Sequence, residues 1–365
     1  MPRANKTAPT ATTITRLDVE PLDIPLHEPF AIATGRVTAA RNALVRVTLS
    51  DGTVGLGEAA PFPPSGGETQ ETALAAIQGM APLVEGHDAA SWRLLAARLL
   101  ASFEHQAAAR AGVEMAVLDA LARSWGMPLY QLFGGSSSHV TTDITIPIEA
   151  PAHMAQLAAR YAREGAETLK LKVGTALDDD LDRVLAVAEA APDCDLILDG
   201  NQGYNPTDAL DLIESLADEE VYPVLFEQPV HRHDLEGLKF VTERAGVPVA
   251  ADEAVHSAAD ALRVARMGAA NVVNIKLMKS GLVEALDIAA VCRAAHIDLM
   301  VGAMMESRLA IAAAAHLVAG QGGFRYVDLD TPMLLAADPF TGGYEQSAFR
   351  YELDRTAAGH GVSER

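Results

Sequence analysis

The chain has 365 residues and carries 49 acidic against 28 basic side chains, a formal charge of −21 at pH 7. That length supports a large core and more than one domain, and that charge argues against nucleic acid and anionic membrane as partners. Just under half the residues are apolar, yet no uninterrupted run reaches the roughly 20 residues that a membrane-spanning helix requires.

Residues 1–12 are polar and rich in Pro, Ala and Thr, without an apolar core segment, so a loose tail is expected rather than a signal peptide. Residues 14–23 and 41–50 read as strands, and Asp51-Gly52 offers a hairpin turn before a third strand at 53–58. Helices are expected at 68–84, 89–103 and 106–125, where Ala, Leu and Val recur every three or four residues. Strands followed by helices make an α+β domain over 13–137, bounded by Gly134-Gly135-Ser136-Ser137-Ser138.

From there the pattern alternates. Short apolar strands are expected at 140–146, 168–172, 195–199, 223–227, 248–251, 272–276, 298–302 and 324–328, with helical segments between them. Strands of this kind are covered on both faces, and eight of them with helical crossovers specify a parallel barrel over 138–331. The segment 332–365 has no place in that barrel and is expected to return to the N-terminal domain. Cys194 and Cys292 lack metal-ligand spacing, which makes a reduced cytoplasm the simpler setting.

Potential chemistry collects at the strand ends. Lys172, Asp199, Glu227, Asp252 and Lys276 follow one another at steps of 27, 28, 25 and 24 residues. One functional side chain per strand–helix unit is how a barrel gathers a site at one rim. Three carboxylates on one arc repel unless a cation joins them, and all-oxygen ligation favours Mg²⁺, with Mn²⁺ as the alternative. Any one of these acids alone could instead cap the helix that follows. Asn201 and Glu253, beside two of them, are candidates for orienting the ligands.

The chain has only six lysines: Lys6, Lys170, Lys172, Lys239, Lys276 and Lys279. Lys172 ends the second barrel strand and Lys276 the sixth, positions that face each other across an eight-stranded ring. One amine can remove a proton and the other return it on the opposite face, inverting a carbon centre. A proton α to a carboxylate is weakly acidic because its loss puts a second charge on that group; a cation holding the carboxylate stabilises the resulting enediolate. The base should have its pKa lowered towards neutrality by Lys170, the metal and burial. Lys279 reads as an ordinary solvated or salt-bridged position.

Lys170-Leu171-Lys172, Asp199-Gly200-Asn201-Gln202, Glu227-Gln228-Pro229, Ala251-Asp252-Glu253 and Asn274-Ile275-Lys276-Leu277-Met278-Lys279 together resemble the enolase superfamily, in its muconate-lactonising subgroup, over nearly the whole chain. The resemblance implies an α/β fold: a (β/α)7β TIM-like barrel with an N-terminal α+β capping domain completed by C-terminal residues. It also implies a Mg²⁺ cofactor held by Asp199, Glu227 and Asp252, Lys172 and Lys276 as the acid–base pair, and Lys170 at the substrate carboxylate. Asp328-Leu329-Asp330, with Met304-Met305-Glu306-Ser307 before it, looks like the dipeptide epimerases (L-Ala-D/L-Glu epimerase-like), in which the Asp pair holds the substrate's free α-ammonium; without that resemblance the two acids would read as a solvated turn. By family position Thr145, Ala303 and Met305 also touch substrate.

The side chain on the inverted carbon meets loops of the capping domain in this family, here 30–37 and 61–67. Arg36 lies near the position at which glutamate-specific members carry an arginine, but off it, so acidic and hydrophobic side chains both remain open. The function implied is Mg-dependent epimerisation of an L-Ala-L-Xaa dipeptide at its C-terminal residue by 1,1-proton transfer. An N-acylamino acid racemase or o-succinylbenzoate synthase-like enzyme would share the lysines and metal without an ammonium clamp, and a non-catalytic metal- or peptide-binding barrel would need no opposed bases. A homo-oligomer is expected of such barrels, although no segment of the sequence signals one.

Overall fold

The computed structural model describes residues 10–32, 35–64 and 67–365. Most of the expected tail, and residues 33–34 and 65–66 of the two capping loops, lie outside the described residues. The chain opens with an antiparallel sheet of β1 (Ile14–Ile32), β2 (Gly35–Leu49) and β3 (Val54–Ala59), in that order. β1 runs well past the expected end at residue 23, through Pro25 and Pro29. It can do so because it is an edge strand, where a missing N–H breaks no ladder, and its register shifts between Pro25 and Phe30. α1 (Gln70–Val84), α2 (Trp92–Ser102) and α3 (Ala107–Ser124) follow. α3 lies so close to β3 that a Cβ on Gly57 would sit 2.1 Å from Gly112 O, so this contact requires glycine. A short α4 (Leu129–Leu132) leads to the barrel.

The strand expected at 140–146 is two strands in two sheets. β4 (His139–Thr141) belongs to a small antiparallel sheet, and β5 (Ile144–Ile146) begins the barrel. Between them Thr142 N donates to Phe349 O and Asp143 N to Val327 O, each at 2.9 Å, so the backbone changes partners there. Then come α5 (Pro151–Arg163), β6 (Thr168–Lys172), α6 (Leu177–Ala190), β7 (Asp195–Asp199), α7 (Pro206–Asp218), β8 (Leu225–Glu227) and α8 (Leu235–Thr242). β9 (Val249–Ala251), α9 (Ala258–Met267), β10 (Val272–Lys276), α10 (Leu277–Ser280), α11 (Leu282–Ala294), β11 (Asp298–Gly302), α12 (Arg308–Gln321) and β12 (Phe324–Val327) complete the unit. The eight strands β5 to β12 pair side by side in chain order. Seven are followed by helix and the eighth is not, which is the (β/α)7β arrangement.

Strand periodicity positions the site. Ile197, Leu225, Ala250, Val272, Met300 and Tyr326 form a buried apolar layer inside the ring. Because side chains alternate every two residues, Asp199, Glu227, Asp252, Asn274 and Asp328 share that inward direction one level nearer the C-terminal rim. The chain ends with β13 (Phe340–Gly342), β14 (Tyr344–Ser347), β15 (Arg350–Leu353) and β16 (Val362–Glu364). β15 pairs with β4, while Glu364 meets Arg46 of β2 and His360 N donates to Asp119 of α3. Among the described residues, no helix is long and apolar enough to cross a membrane.

Candidate active site

The rim interleaves amines with carboxylates. Lys170 is fully buried, and its Nζ lies 2.6 Å from Asp328 Oδ2, 2.7 Å from Glu227 Oε2 and 3.0 Å from Asp199 Oδ2. Lys172 Nζ donates to Asp199 Oδ2 at 2.5 Å. On the far side, Lys276 Nζ is 2.9 Å from Asp252 Oδ2. Of the two expected alternatives, solvated or salt-bridged, Lys279 takes the second. It is buried, and its Nζ contacts Asp252 Oδ1 at 2.5 Å and Asn274 O at 3.0 Å. α10 starts directly after Lys276, so one helical turn brings Lys279 back to the rim.

Burial works against every one of these charges, and the partners decide the outcome. It pushes Asp199 and Asp252 up, but Lys170, Lys172 and Lys276 around Asp199, and Lys276 and Lys279 around Asp252, hold both carboxyls below the usual range. Glu227 has fewer amines and two acidic neighbours; burial and then Asp199 raise it to about 7. Burial and then Asp252 raise Glu253 to about 7 as well. Lys276 is set by the same competition. Burial pulls it down, but Asp252, with Glu227 and Asp199, outweighs that and Lys170, leaving it above the ordinary lysine value.

The loops beneath the acids are fixed by polar contacts and unusual backbone. Asn201, Gln202 and Gln228 all have positive φ, 40°, 69° and 34°, a strained region for these residues. Gln228 Oε1 accepts from Asp252 N at 2.8 Å and Ala254 N at 3.1 Å, and Asn274 Nδ2 donates to Glu227 Oε1 at 2.6 Å. Asn201 Oδ1, Glu227 Oε2, Glu253 Oε2 and Asn274 Oδ1 are buried without a hydrogen bond; Glu227 Oε2 is near Lys170 Nζ, but not in bonding geometry. Orphan oxygens beside three carboxylates on adjacent strands are a donor set that fits a hard divalent cation.

A second acidic group lies beyond Lys170. Asp143, Asp328 and Asp330 each place an oxygen within 4.8 Å of the other two. Thr145 N donates to Asp330 Oδ2 at 2.6 Å. Burial, then Asp328, raises Asp330 to about 7 and holds Asp143 well above the ordinary aspartate value. The sequence reading missed Asp143, although its place two residues before Thr145 was a signal that both face inward.

Above this group Met305 is buried, Ala303 half-buried, and Met305 O accepts from Asn42 Nδ2 at 2.8 Å. Met305 packs with Ile24, Leu26, Ala40 and Leu335, and Phe30, Val37 and Phe62 join that cluster. Arg36 is not brought to the site. It is exposed on β2, paired with Ala31, while its neighbour Val37 turns inward by strand alternation. A cavity of about 700 Å³ between the N-terminal domain and the barrel reaches Phe62, Glu253, Lys279 and Met304.

Residues 12–134 match the mandelate racemase/muconate lactonizing enzyme N-terminal domain, and residues 153–364 match the enolase C-terminal domain-like family. The chain belongs to the mandelate racemase/muconate lactonizing enzyme family of the enolase superfamily. Within that family it is 47% identical to an aromatic dipeptide epimerase from Herpetosiphon aurantiacus, over 96% of this chain and 99% of that protein. It superposes with a TM-score of 0.93 on a dipeptide epimerase from Enterococcus faecalis complexed with Mg and L-Leu-L-Tyr, at 39% identity, covering 96% of this chain and 100% of that one. A substrate-liganded L-Ala-D/L-Glu epimerase from Bacillus subtilis gives a TM-score of 0.94 at 34% identity, covering 96% and 99%.

Proposed function

We propose that this protein is a dipeptide epimerase that inverts the C-terminal α-carbon of L-Ala-L-Xaa dipeptides, with Xaa hydrophobic or aromatic. The observation that carries the reading is the pair of buried amines at the ends of β6 and β10, each against a different rim carboxylate. These strands stand four apart in an eight-strand ring, so Lys172 and Lys276 address opposite faces of a carbon held between them. One amine takes the α-proton, and the other delivers a proton to the opposite face.

Asp199, Glu227 and Asp252 would hold Mg²⁺, the ion in the Enterococcus complex. A bound divalent cation would supply Lewis-acid stabilisation of the second negative charge that builds on the substrate carboxylate. Lys170 lies between the rim acids and Asp328, placing positive charge next to that carboxylate. Asp328 and Asp330 receive the free N-terminal ammonium, a complementary arrangement that an N-acylated amino acid cannot use. The apolar cluster around Met305, together with an outward Arg36, favours an uncharged Xaa side chain.

The reading is tested by incubating the protein with Mg²⁺ and L-Ala-L-Phe in D₂O and following mass and stereochemistry. The expected result is one deuterium at the C-terminal α-carbon together with L-Ala-D-Phe, and no turnover of N-acetyl-L-Ala-L-Phe. Binding without exchange across an L-Ala-L-Xaa panel over hours would reject catalysis. Faster turnover of N-acyl amino acids would reject the dipeptide.

A further inference from the structure

We propose that Asp143 is the third carboxylate of the ammonium cradle, so that Asp143, Asp328 and Asp330 together accept all three N–H bonds of a primary α-ammonium and select for an unmodified N-terminus. This rests on the dipeptide reading and sharpens it.

The argument begins with geometry. Three oxygens that are pairwise within 4.8 Å have a common point no farther than 4.8/√3, about 2.8 Å, from each of them. That is the length of a charge-assisted N–H···O⁻ bond, about 2.7–2.9 Å. A protonated primary amine has three donors, and the cluster offers one oxygen to each.

Hydrogen bonding points the same way. Asp143 is 4% exposed, and neither of its carboxylate oxygens has a hydrogen-bond partner; Asp330 Oδ1 also has none. Buried carboxylate oxygens are rarely left so, because the lost hydration is not replaced. The cradle is also held rigidly from three sides. Asp143 N donates to Val327 O at 2.9 Å, Leu329 N to Thr142 Oγ1 at 2.7 Å, and Tyr351 Oη to Leu329 O at 2.8 Å. An orphan acid in so fixed a frame is arranged for a partner that arrives from outside.

Charge agrees. The amine nearest the cluster is Lys170, which bonds Asp328 Oδ2 but neither Asp143 nor Asp330. Three acids against one amine leave room for a further cation. Burial and the facing Asp328 and Asp330 raise Asp143 well above its ordinary value, a cost that an incoming ammonium relieves.

The test compares L-Ala-L-Phe with N-methyl-L-Ala-L-Phe, which keeps the positive charge but loses one N–H. Three acceptors in a closed cradle should make the single methyl cost the parent enzyme tenfold or more in kcat/KM. Asp143→Asn, and Asp143→Ser as a second variant, should raise KM for L-Ala-L-Phe at least tenfold and shrink the methyl penalty below threefold. If the variants do not fold, the methyl comparison in the parent decides alone. Equal turnover of the two substrates by the parent, or variants with the parent's KM, overturns the proposal while leaving the epimerase reading intact. Loss of one bound Mg²⁺ per chain on Asp143→Asn, measured by equilibrium dialysis, overturns it in favour of a metal cradle. No turnover of any dipeptide by the parent sinks the epimerase reading and this proposal together.

Discussion

Single positions at the rim differ in how openly the sequence declares them. Asp199, Glu227 and Lys276 each terminate an apolar strand, and Asp252 follows one directly; a charged group ending a run buried on both faces is visible in one dimension. Lys279 and Asp143 are not visible in that way. Lys279 reaches Asp252 only through the turn of a four-residue helix, and Asp143 lies inside what looks like one continuous strand. Arg36, left open between pocket and surface by the sequence, is exposed here, because strand alternation is set by pairing and a shift of one residue reverses the face. Its outward direction gives an expectation. Arg36→Ala should leave kcat/KM for L-Ala-L-Phe within about twofold, the range of an exposed substitution. Steady-state assays with L-Ala-L-Phe and L-Ala-L-Glu check this, and a tenfold loss confined to L-Ala-L-Glu would mean that the guanidinium reaches the pocket.

Elements were legible where their signal is local. β6, β7, β10 and β11 occupy the spans expected from apolar runs alone. The division between β4 and β5 was not legible, because Val140 and Ile144–Ile146 have the same apolar character and only the distant partners, β15 and β6, distinguish them. The contact of α3 with the start of α11 was equally hidden. There Glu114 Oε2 accepts from Val283 N at 2.9 Å, satisfying a first-turn N–H of α11. Burial raises Glu114 to about 7 against the pull of Val283 N–H and Arg110. A carboxyl whose folded pKa is raised contributes stability that is full below its unfolded value of 4.5 and is lost as pH rises through about 7. Glu114→Gln keeps an acceptor and cannot ionise. Its loss of stability between pH 4.5 and 7 should be smaller than the parent's by about 3 kcal/mol, given about 1.4 kcal/mol per pKa unit. Urea unfolding across that range measures it, and parallel pH curves for the two proteins would contradict the assignment.

For the whole molecule, the barrel and the N-terminal domain divide the work. The ring fixes acids and amines at one rim to within hydrogen-bonding distances, while β1, β2 and the loop at Phe62 bring apolar side chains over Met305. In the proposed function the chemistry and the side-chain preference would sit on separate parts of the chain, the charged rim and the apolar cluster around Met305. The proposed epimerisation depends on two amines acting from opposite sides. The most direct measurement is α-proton exchange in D₂O, with Mg²⁺, by Lys172→Ala and Lys276→Ala, each given L-Ala-L-Phe and L-Ala-D-Phe separately. The expected result is that neither variant epimerises, and that each exchanges the α-proton of one stereoisomer only, the two variants choosing opposite ones. Epimerisation at the parent rate by either variant, or exchange of the same stereoisomer by both, would contradict the two-sided mechanism.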